Sequence, residues 1–381
     1  MLDNIYETEE HSAFRDQLQR FVQQEIRPNA DAWEQAGEIP REVFSKMGAL
    51  GFLGVRYPDV FGGAGMDTFG SVVLAEELGR SGLSGFAIST LVHTDMASPH
   101  LERYGSAEQK ARYMPDIVSG KRVTAIGVTE PGAGSDVAGM TTRAEKRGNG
   151  WVLNGTKMFI TNGVLGDVYF IAARTDPDVK ASRGVSMFIV EKGTPGFKVA
   201  TQLDKMGWRC SDTAELVFDN VELTADALLG EESRGFYQIM DNFQNERLVI
   251  GAMAVGEAER ALEITLEYVK ERNAFGGTLW DKQAVRHKLA EGSTRCEAVK
   301  RLVHHTAWLD AQGRDCVKEV SMIKVEAARM LQQVVYDCQQ LHGGAGYMRG
   351  MEIERLYRDA RVQAVGGGAS EVMLEEIAKR I

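Results

Sequence analysis

One stretch of the chain reads VTEPGAGSD from Val128 to Asp136, and it lies where the pattern of the sequence changes from helical to extended. Pro131 ends the run of β-branched residues before it, because proline cannot donate to a strand ladder. Gly132 and Gly134 then let the backbone turn without a Cβ in the way. Such a loop can present backbone N–H groups to a ligand rich in acceptors. Read alone, however, it is an ordinary connection between strands, and Gly-x-Gly-Ser is a weak signal.

The chain before this loop has a helical pattern. Five apolar side chains recur at helical spacing and predict one buried stripe that ends at Pro28: Phe14, Leu18, Phe21, Val22 and Ile26. Helix-like segments continue to about Ser119. The first third of the chain is therefore predicted to be helical.

From about Lys121 the period changes to that of short strands. The predicted strands are rich in β-branched and aromatic residues and are bounded by turn signals: 123–129, 151–161, 168–174, 185–190 and 214–218. Asn154-Gly155 is a tight-turn signal and predicts a hairpin inside the second of them. Long helical stretches return at 236–272, 281–312 and 316–341, with a shorter one after Ser370.

The order of helices, strands and helices predicts a multi-domain α+β protein. We expect an N-terminal helical domain over 1–120, a middle small antiparallel β-barrel over 121–230 and a C-terminal four-helix bundle over 231–381. Strands and helices do not alternate along the chain, which disfavours a Rossmann domain.

Composition narrows the class of protein. Hydrophobic residues make up 44% and charged residues 26% of the 381 residues, as in an ordinary globular protein. The net charge of −10 disfavours nucleic acid as a partner, because phosphate binding needs a clustered positive field. No apolar run approaches the roughly 20 residues that span a bilayer, and the acidic start of the chain lacks the features of a signal or transit peptide. We expect a cytoplasmic, bacterial protein without a membrane span.

Cysteine and histidine spacing indicates no metal site. The four cysteines form no Cys-x-x-Cys pair and predict reduced, packed thiols: Cys210, Cys296, Cys316 and Cys338. His304 and His305 are neighbours on a predicted helix, so their side chains point to different faces and make a poor chelate.

Two motifs resemble those of one enzyme family. Residues 127–139, GVTEPGAGSDVAG, resemble the first signature of the acyl-CoA dehydrogenases, and residues 340–347, QLHGGAGY, followed by Arg355 and Asp359, resemble the second. The resemblance runs nearly the full length of the chain. It implies FAD-dependent α,β-dehydrogenation of an acyl-CoA to the trans-2-enoyl-CoA, with electrons passed to an electron-transfer flavoprotein. It also implies the helix–β–helix architecture and a homotetramer built as a dimer of dimers.

The resemblance implies a set of FAD contacts. Thr129 and Ser135 would face the flavin, with Ser135 also touching the acyl-CoA. Phe159 stands where many members have Trp, and Thr161 would donate near the reactive ring nitrogen. The complete expected set near the flavin is Ile126, Val128, Thr129, Gly134, Ser135, Phe159, Ile160 and Thr161.

A second group of cofactor contacts would reach the FAD of a neighbouring subunit. Arg272, Phe275 and Gln283 match an Arg-x-x-Phe-Gly motif with a downstream Gln, although Arg272 alone reads as a solvated charge at a helix end. Gln340, Gly343 and Gly344 would complete this cross-subunit pocket, and Ala369 and Glu371 near the last helix are also expected to contact FAD.

The reaction needs a carboxylate that removes the α-proton. Many members carry it as a Glu before the last helix, but this chain has Gly367 there, within three consecutive glycines. The isovaleryl-CoA and long-chain members place the base on a bundle helix, and residues 245–249, NERLV, resemble that site. Glu246 is therefore the predicted base. Glu246-Arg247 alone would read as an exposed charged pair, but apolar neighbours predict partial burial and a raised pKa: Phe243, Leu248 and Ile250.

Gly367 keeps a role through its backbone. Its N–H can donate to the thioester carbonyl together with a ribityl hydroxyl of FAD, as an oxyanion hole does. The small loop also predicts room for a branch at the β-carbon, so we expect a branched or medium-to-long acyl chain. The predicted substrate contacts are Ser135, Ser182, Phe243, Arg247, Gly366 and Gly367.

Three alternatives stay open on sequence grounds. The chain could be an acyl-CoA oxidase that passes electrons to oxygen. It could be a flavin monooxygenase or nitroalkane oxidase on the same fold, whose chemistry does not need Glu246. It could also be a non-catalytic flavin- and acyl-CoA-binding protein, which the glycine at position 367 suggests.

Overall fold

The computed structural model describes residues 4–381, apart from the side chain of Ala181, so residues 1–3 of the predicted first domain lie outside the description. Helix α1 continues into a π-helical turn at Val22–Ile26. The predicted apolar stripe is buried, with Phe14 partly so, which confirms this helix. The N-terminal helices are α1 (Glu9–Phe21), α2 (Ala30–Ala36), α3 (Glu42–Ala49), α4 (Thr68–Gly79), α5 (Ser84–Leu91), α6 (Ser98–Tyr104) and α7 (Ala107–Val118).

The middle of the chain forms one eight-stranded sheet. The strands are β1 (Thr124–Gly127), β2 (Arg143–Arg147), β3 (Gly150–Thr161), β4 (Val168–Arg174), β5 (Val185–Glu191), β6 (Phe197–Gln202), β7 (Thr213–Leu223) and β8 (Leu228–Leu229). Their pairing order is β6-β7-β3-β2-β4-β5-β8, and β1 pairs with β4 in parallel. In the described residues the end strands β6 and β8 do not pair with each other, so the sheet is mixed and open, and the predicted antiparallel barrel is not confirmed.

The predicted hairpin at Asn154-Gly155 is wrong, because β3 runs unbroken through this pair. The register against β7 shifts between Leu153 and Gly155, and the extra residue belongs to β7, so a β-bulge in β7 lies opposite this pair. A Cβ on Gly155 would lie 2.5 Å from the Thr142 hydroxyl, and this close approach explains why glycine stands there. The chain reverses instead at residues 148–149, Gly-Asn, between β2 and β3.

The C-terminal part consists of long helices whose ends fall within two residues of the predicted ones. They are α8 (Gly235–Glu271), α9 (Gln283–Ala311) and α10 (Val317–His342), followed by the unpredicted α11 (Glu352–Ala360) and the predicted short α12 (Ser370–Ala378). A small hairpin, β9 (Asn273–Ala274) and β10 (Gly277–Thr278), joins α8 to α9. The long helices pack on one another, and α12 packs on α10. None of the helices in residues 4–381 is long and apolar enough to cross a membrane.

Two glycines bring the N-terminal helices against the bundle. A Cβ on Gly79 of α4 would lie 2.2 Å from the Met253 carbonyl oxygen, and one on Gly256 of α8 would lie 2.0 Å from that of Glu76. The two helices therefore pack backbone to backbone, and one hydrophobic cluster runs through both regions. All four cysteines are buried and unpaired, as predicted.

Candidate active site

The loop at residues 128–136 is held from inside by a buried ion pair. Lys157 of β3 has no exposed side-chain surface and donates to the Glu130 carboxylate at 2.8 Å and to the Val128 carbonyl at 3.0 Å. The same carboxylate accepts from the backbone N–H groups of Thr141 and Thr142 at 2.7 and 2.9 Å. Burial by itself would raise the pKa of Glu130, but Lys157 and these hydrogen bonds outweigh it and lower the pKa. The loop is thus fixed without using its outward groups.

Phe159 stands beside that loop in a strained conformation. The Met158 N–H donates to the Thr129 carbonyl at 2.9 Å, which ties β3 to the loop. Phe159 follows in a β-bulge with φ of 62°, and its side chain is 66% exposed. Positive φ is costly for an aromatic residue, so the fold holds an aromatic ring outward at an energetic cost. An exposed ring beside exposed Gly134 and Ser135 suits a flat, partly polar ligand such as an isoalloxazine.

The other predicted residues of this surface lie close by. Thr161 is half-buried at the end of β3, and Ile160 is buried in the core of the sheet. Ile126 and Val128 pack on the same hydrophobic cluster as Phe243 of α8. The structure therefore brings the loop and the start of α8 onto one cluster.

Glu246 lies inside the bundle with little compensation for its charge. Its side chain is 7% exposed, and it accepts one hydrogen bond, from Asn242 one turn earlier, at 3.2 Å. No cation of the described residues lies within ion-pair distance of its carboxylate. Burial raises the pKa of Glu246 to about 8, against smaller lowering effects of Asn242 and Arg247. A carboxyl group with such a pKa can act as a base near neutral pH.

Arg247 has a partly unsatisfied side chain next to the base. Its guanidinium lies over the Phe243 ring, 5.1 Å from the centroid, and its buried Nε has no hydrogen-bond partner among the described residues. Burial lowers the pKa of Arg247 against the raising effect of Glu246. An orphaned buried donor leaves the Arg247 Nε available to an acceptor atom of a ligand.

The glycine loop, residues 366–368, packs against the same turn of α8. Gly367 and Gly368 have φ of 66° and 106°, a region that favours glycine. A Cβ on Gly367 would lie 2.5 Å from Cδ1 of Ile250, one turn after Glu246, and one on Gly368 would lie 3.7 Å from the Arg247 Nε. Gly366 is more open, its nearest atom being 3.6 Å away. The Ile250 side chain thus occupies part of the space that a side chain at position 367 would need.

A third group gathers where α8 and α10 end. Tyr268 stacks on His342 with ring centroids 4.2 Å apart, which joins the helix end before Arg272 to the helix end before Gly343. Phe275 has φ of 54° and is 92% exposed in the β9–β10 hairpin. The other predicted members are exposed: Arg272, Gln283, Gln340, Gly343 and Gly344. No hydrogen bond or ion pair in the described residues joins this group to the loop at 128–136.

The remaining predicted residues are placed without a specific partner. Ser182 lies in the 3-10 turn Ala181–Arg183, which packs against α8 and against Val137–Gly139. Ala369 precedes α12, and Glu371 is exposed in its first turn. Sequence reasoning missed the residues that hold the site from behind: Lys157, Asn242 and Lys324. Lys324 carried a local signal, a charge between Ile323 and Val325, whereas Lys157 and Asn242 each follow another polar residue and carried none.

The two exposed phenyl rings at positive φ and the open glycines fit a large aromatic cofactor with a polar tail. Helices, an open sheet and a helical bundle with a buried, unpaired carboxyl define a flavoenzyme of the acyl-CoA dehydrogenase type. The profiles of the acyl-CoA dehydrogenase N-terminal, middle and C-terminal domains match residues 8–121, 125–221 and 233–381. The chain belongs to the acyl-CoA dehydrogenase family, and it is an FAD-dependent enzyme of that family.

Individual relatives agree with this assignment. The chain is 43% identical to the long-chain specific acyl-CoA dehydrogenase of mitochondria from Sus scrofa, over 98% of this chain and 86% of that protein. It is 36% identical to the mitochondrial isovaleryl-CoA dehydrogenase from Pongo abelii, over 96% and 87%. The crystal structure of acyl-CoA dehydrogenase from Geobacillus kaustophilus has a TM-score of 0.94 at 41% identity and covers 99% of both chains.

Proposed function

We propose that Glu246 is the base that removes the α-proton of the acyl-CoA. The observation that carries this proposal is its position: a buried carboxyl group with no cation partner in the described residues, one helical turn from Ile250, which touches the glycine loop. Bound FAD supplies the acceptor for the β-hydrogen, which leaves as hydride. The product is the trans-2-enoyl-CoA, and the electrons pass on to an electron-transfer flavoprotein.

Polarisation of the thioester is assigned to the glycine loop. The Gly367 N–H donates to the thioester carbonyl oxygen, and the charge that develops there in the transition state makes this donor valuable. Arg247 and Phe243 line the same turn of α8, and Gly366 leaves space beside the loop. Ser135 and Ser182 provide hydroxyl groups for the acyl-CoA.

Binding of FAD is assigned to the two separate surfaces. The first consists of Ile126, Val128, Thr129, Gly134, Ser135, Phe159, Ile160 and Thr161. The second consists of Arg272, Phe275, Gln283, Gln340, Gly343 and Gly344. Ala369 and Glu371 at the start of α12 are assigned to FAD as well. The backbone holds the exposed Phe275 ring outward at φ of 54°, which is costly for an aromatic residue, and this supports its reach into a neighbouring subunit and a tetramer. A sedimentation measurement on the holoenzyme tests the tetramer, and a monomer that retains FAD would contradict it.

The proposed domain limits are 1–120, 121–230 and 231–381. Helix α7 ends at Val118 before β1 begins at Thr124, and α8 begins at Gly235 after the sheet. These breaks support the limits.

The proposed substrates have a branched or medium-to-long acyl chain. The similarity to the long-chain and isovaleryl-CoA enzymes supports this range. Initial rates on isovaleryl-, octanoyl-, palmitoyl- and butyryl-CoA test it, and a clear preference for butyryl-CoA would contradict it.

Glu246→Gln tests the base. The variant is expected to keep FAD and to bind acyl-CoA, but its flavin should be reduced anaerobically on the order of 10²–10⁴ times more slowly, the usual contribution of a general base. Glu257→Gln is the matched control, because Glu257 is buried on the same helix and burial raises its pKa to about 8 as well. Equal loss of rate in both variants, or full activity in Glu246→Gln, would overturn the assignment.

A further inference from the structure

A buried lysine closes the glycine loop from behind. Lys324 lies on α10, and 1% of its surface is exposed. Its ammonium donates to the carbonyl of Gln363 and, at 3.2 Å, to that of Gly368. These two carbonyls lie on either side of Gly366 and Gly367, so one side chain bridges both ends of the loop.

Apart from the Gly366 N–H, which donates to the Val362 carbonyl at 2.8 Å, the loop has few restraints of its own. Three consecutive glycines contribute no side-chain packing, and glycine loses more conformational freedom on ordering than any other residue. The ammonium therefore supplies a restraint that the loop's own sequence lacks. The Lys324 Cε also lies 3.6 Å from the point where a Cβ on Gly367 would stand, so the lysine packs directly behind this residue.

The surroundings of Lys324 contain no acid that would pair with it. None of the described carboxylates lies within ion-pair distance of its ammonium, and the nearby charged group is another cation, Arg247. Burial and then Arg247 lower the pKa of Lys324 to about 8. A buried ammonium without a counter-ion is unfavourable, and its hydrogen bonds to the two carbonyls offset part of this cost.

We propose that Lys324 is a positioning residue for the reaction: by holding the carbonyls of Gln363 and Gly368, it aims the Gly367 N–H at the thioester carbonyl. This inference rests on the proposed role of Gly367 as the donor. Lys324 touches neither substrate nor cofactor in this proposal and acts only through the loop.

The test reads the polarisation of the carbonyl directly. A 3-thia acyl-CoA labelled with ¹³C at the thioester carbonyl has sulfur in place of the β-carbon, so it has no β-hydrogen to transfer. Bound to the oxidised holoenzyme at pH about 6, where Glu246 is protonated and leaves the α-protons of the analogue in place, it should show a carbonyl stretch lowered from that of the free thioester. Lys324→Met should move that stretch back toward the free value. With a real substrate kcat should fall about 10- to 100-fold while KM changes by less than about threefold, because a donor is displaced and not removed.

A second lysine serves as the matched control. Lys300 is partly buried on α9 and bonds Glu259 at 2.7 Å. Lys300→Met should lower Tm without moving the carbonyl stretch or kcat. Should Lys324→Met not fold, Lys324→Arg decides. It keeps the charge but replaces one ammonium by a planar fork, so an intermediate carbonyl shift and kcat are expected at near-normal Tm.

Each outcome separates the two proposals. A normal carbonyl shift in Lys324→Met, or a normal shift and kcat in Lys324→Arg, overturns the positioning role. An unshifted carbonyl in the unaltered enzyme overturns the donor role of Gly367 and this inference together. Failure of Glu246 as the base shows only in the flavin reduction of Glu246→Gln, which the non-oxidisable analogue does not require.

Discussion

The two loops that carry the proposed chemistry are each held by one buried lysine, but the charges around them differ. Under the loop at 128–136, Lys157 faces Glu130, and each buried charge has its opposite. Around the glycine loop, Lys324 faces only carbonyls, and Glu246 has one amide donor and no cation within ion-pair distance in the described residues. The same residue types are thus compensated on the sheet and left uncompensated in the bundle.

The paired charges under the first loop stabilise the fold, whereas the unpaired carboxyl group near the glycine loop is able to react. A paired buried charge is locked, because either partner alone would be strongly unfavourable. Burial without a cation partner raises the pKa of a carboxyl group to near neutral pH, and a base needs such a pKa. Changes on the sheet should therefore act mainly on folding and FAD retention, whereas changes in the bundle should act mainly on rate.

The largest expected effect on stability is that of Lys157→Met. It leaves Glu130 buried without its cation, so the free energy of unfolding should fall by about 3–5 kcal/mol. Denaturation and the FAD content of the purified protein measure this. Lys146→Met is the control: Lys146 is exposed in a pair with Glu232, so a loss within about 1 kcal/mol is expected. Equal stability of the two variants would remove the distinction between the two loops.

Gly367→Ala should have the next largest effect. The added methyl group meets Ile250 at 2.5 Å in a backbone region with φ of 66°, and overpacking of this kind costs about 1–3 kcal/mol. Anaerobic flavin reduction should slow as the loop moves. Gly366→Ala has only ordinary contacts at 3.6 Å, so its loss of stability and its loss of rate with straight-chain octanoyl-CoA should both be smaller. The opposite order of the two variants would show that the loop is not held as described.

The long helices and the two loops could be predicted from the sequence, but the buried lysines that hold the loops could not. The helices α8, α9 and α10 were predictable because long runs with a 3.6-residue period leave few other solutions. The hairpin at Asn154-Gly155 was mispredicted because Asn-Gly is a common tight-turn sequence, whereas here the glycine allows a close approach to Thr142. The bulge at Phe159 and the buried lysines depend on partners distant in sequence, which no local pattern reveals.

The pH dependence sharpens the contrast between the two carboxyl groups. Burial raises the pKa of Glu246 to about 8, whereas that of Glu130 is lowered. Since a base acts when ionised, kcat/KM should rise tenfold per pH unit up to about 8 and then level off. A flat profile from pH about 6 to about 9 would contradict this reading.

The contribution of Glu246 to the free energy of unfolding should fall over the pH range in which kcat/KM rises. The folded-state pKa of Glu246 lies above its unfolded value, so protonation favours the folded form, and this contribution is lost as pH rises through the folded-state pKa. Denaturation at pH about 5.5 and about 8.5 should therefore show Glu246→Gln gaining stability relative to wild type at the higher pH. The gain corresponds to about 1.4 kcal/mol for each unit of pKa shift.

The smallest expected effect comes from relieving strain at Phe159. Phe159→Gly removes a side chain at φ of 62°, so the apoprotein should lose no stability and could gain up to about 1 kcal/mol. The holoenzyme should release FAD more readily because the exposed ring is gone. Asn220→Gly changes an exposed residue that also has positive φ, 50°, although asparagine tolerates this region better, and it should leave FAD retention unchanged. Equal FAD retention in both variants would mean that the exposed Phe159 ring does not contribute to FAD binding, and the strained conformation would then need another explanation.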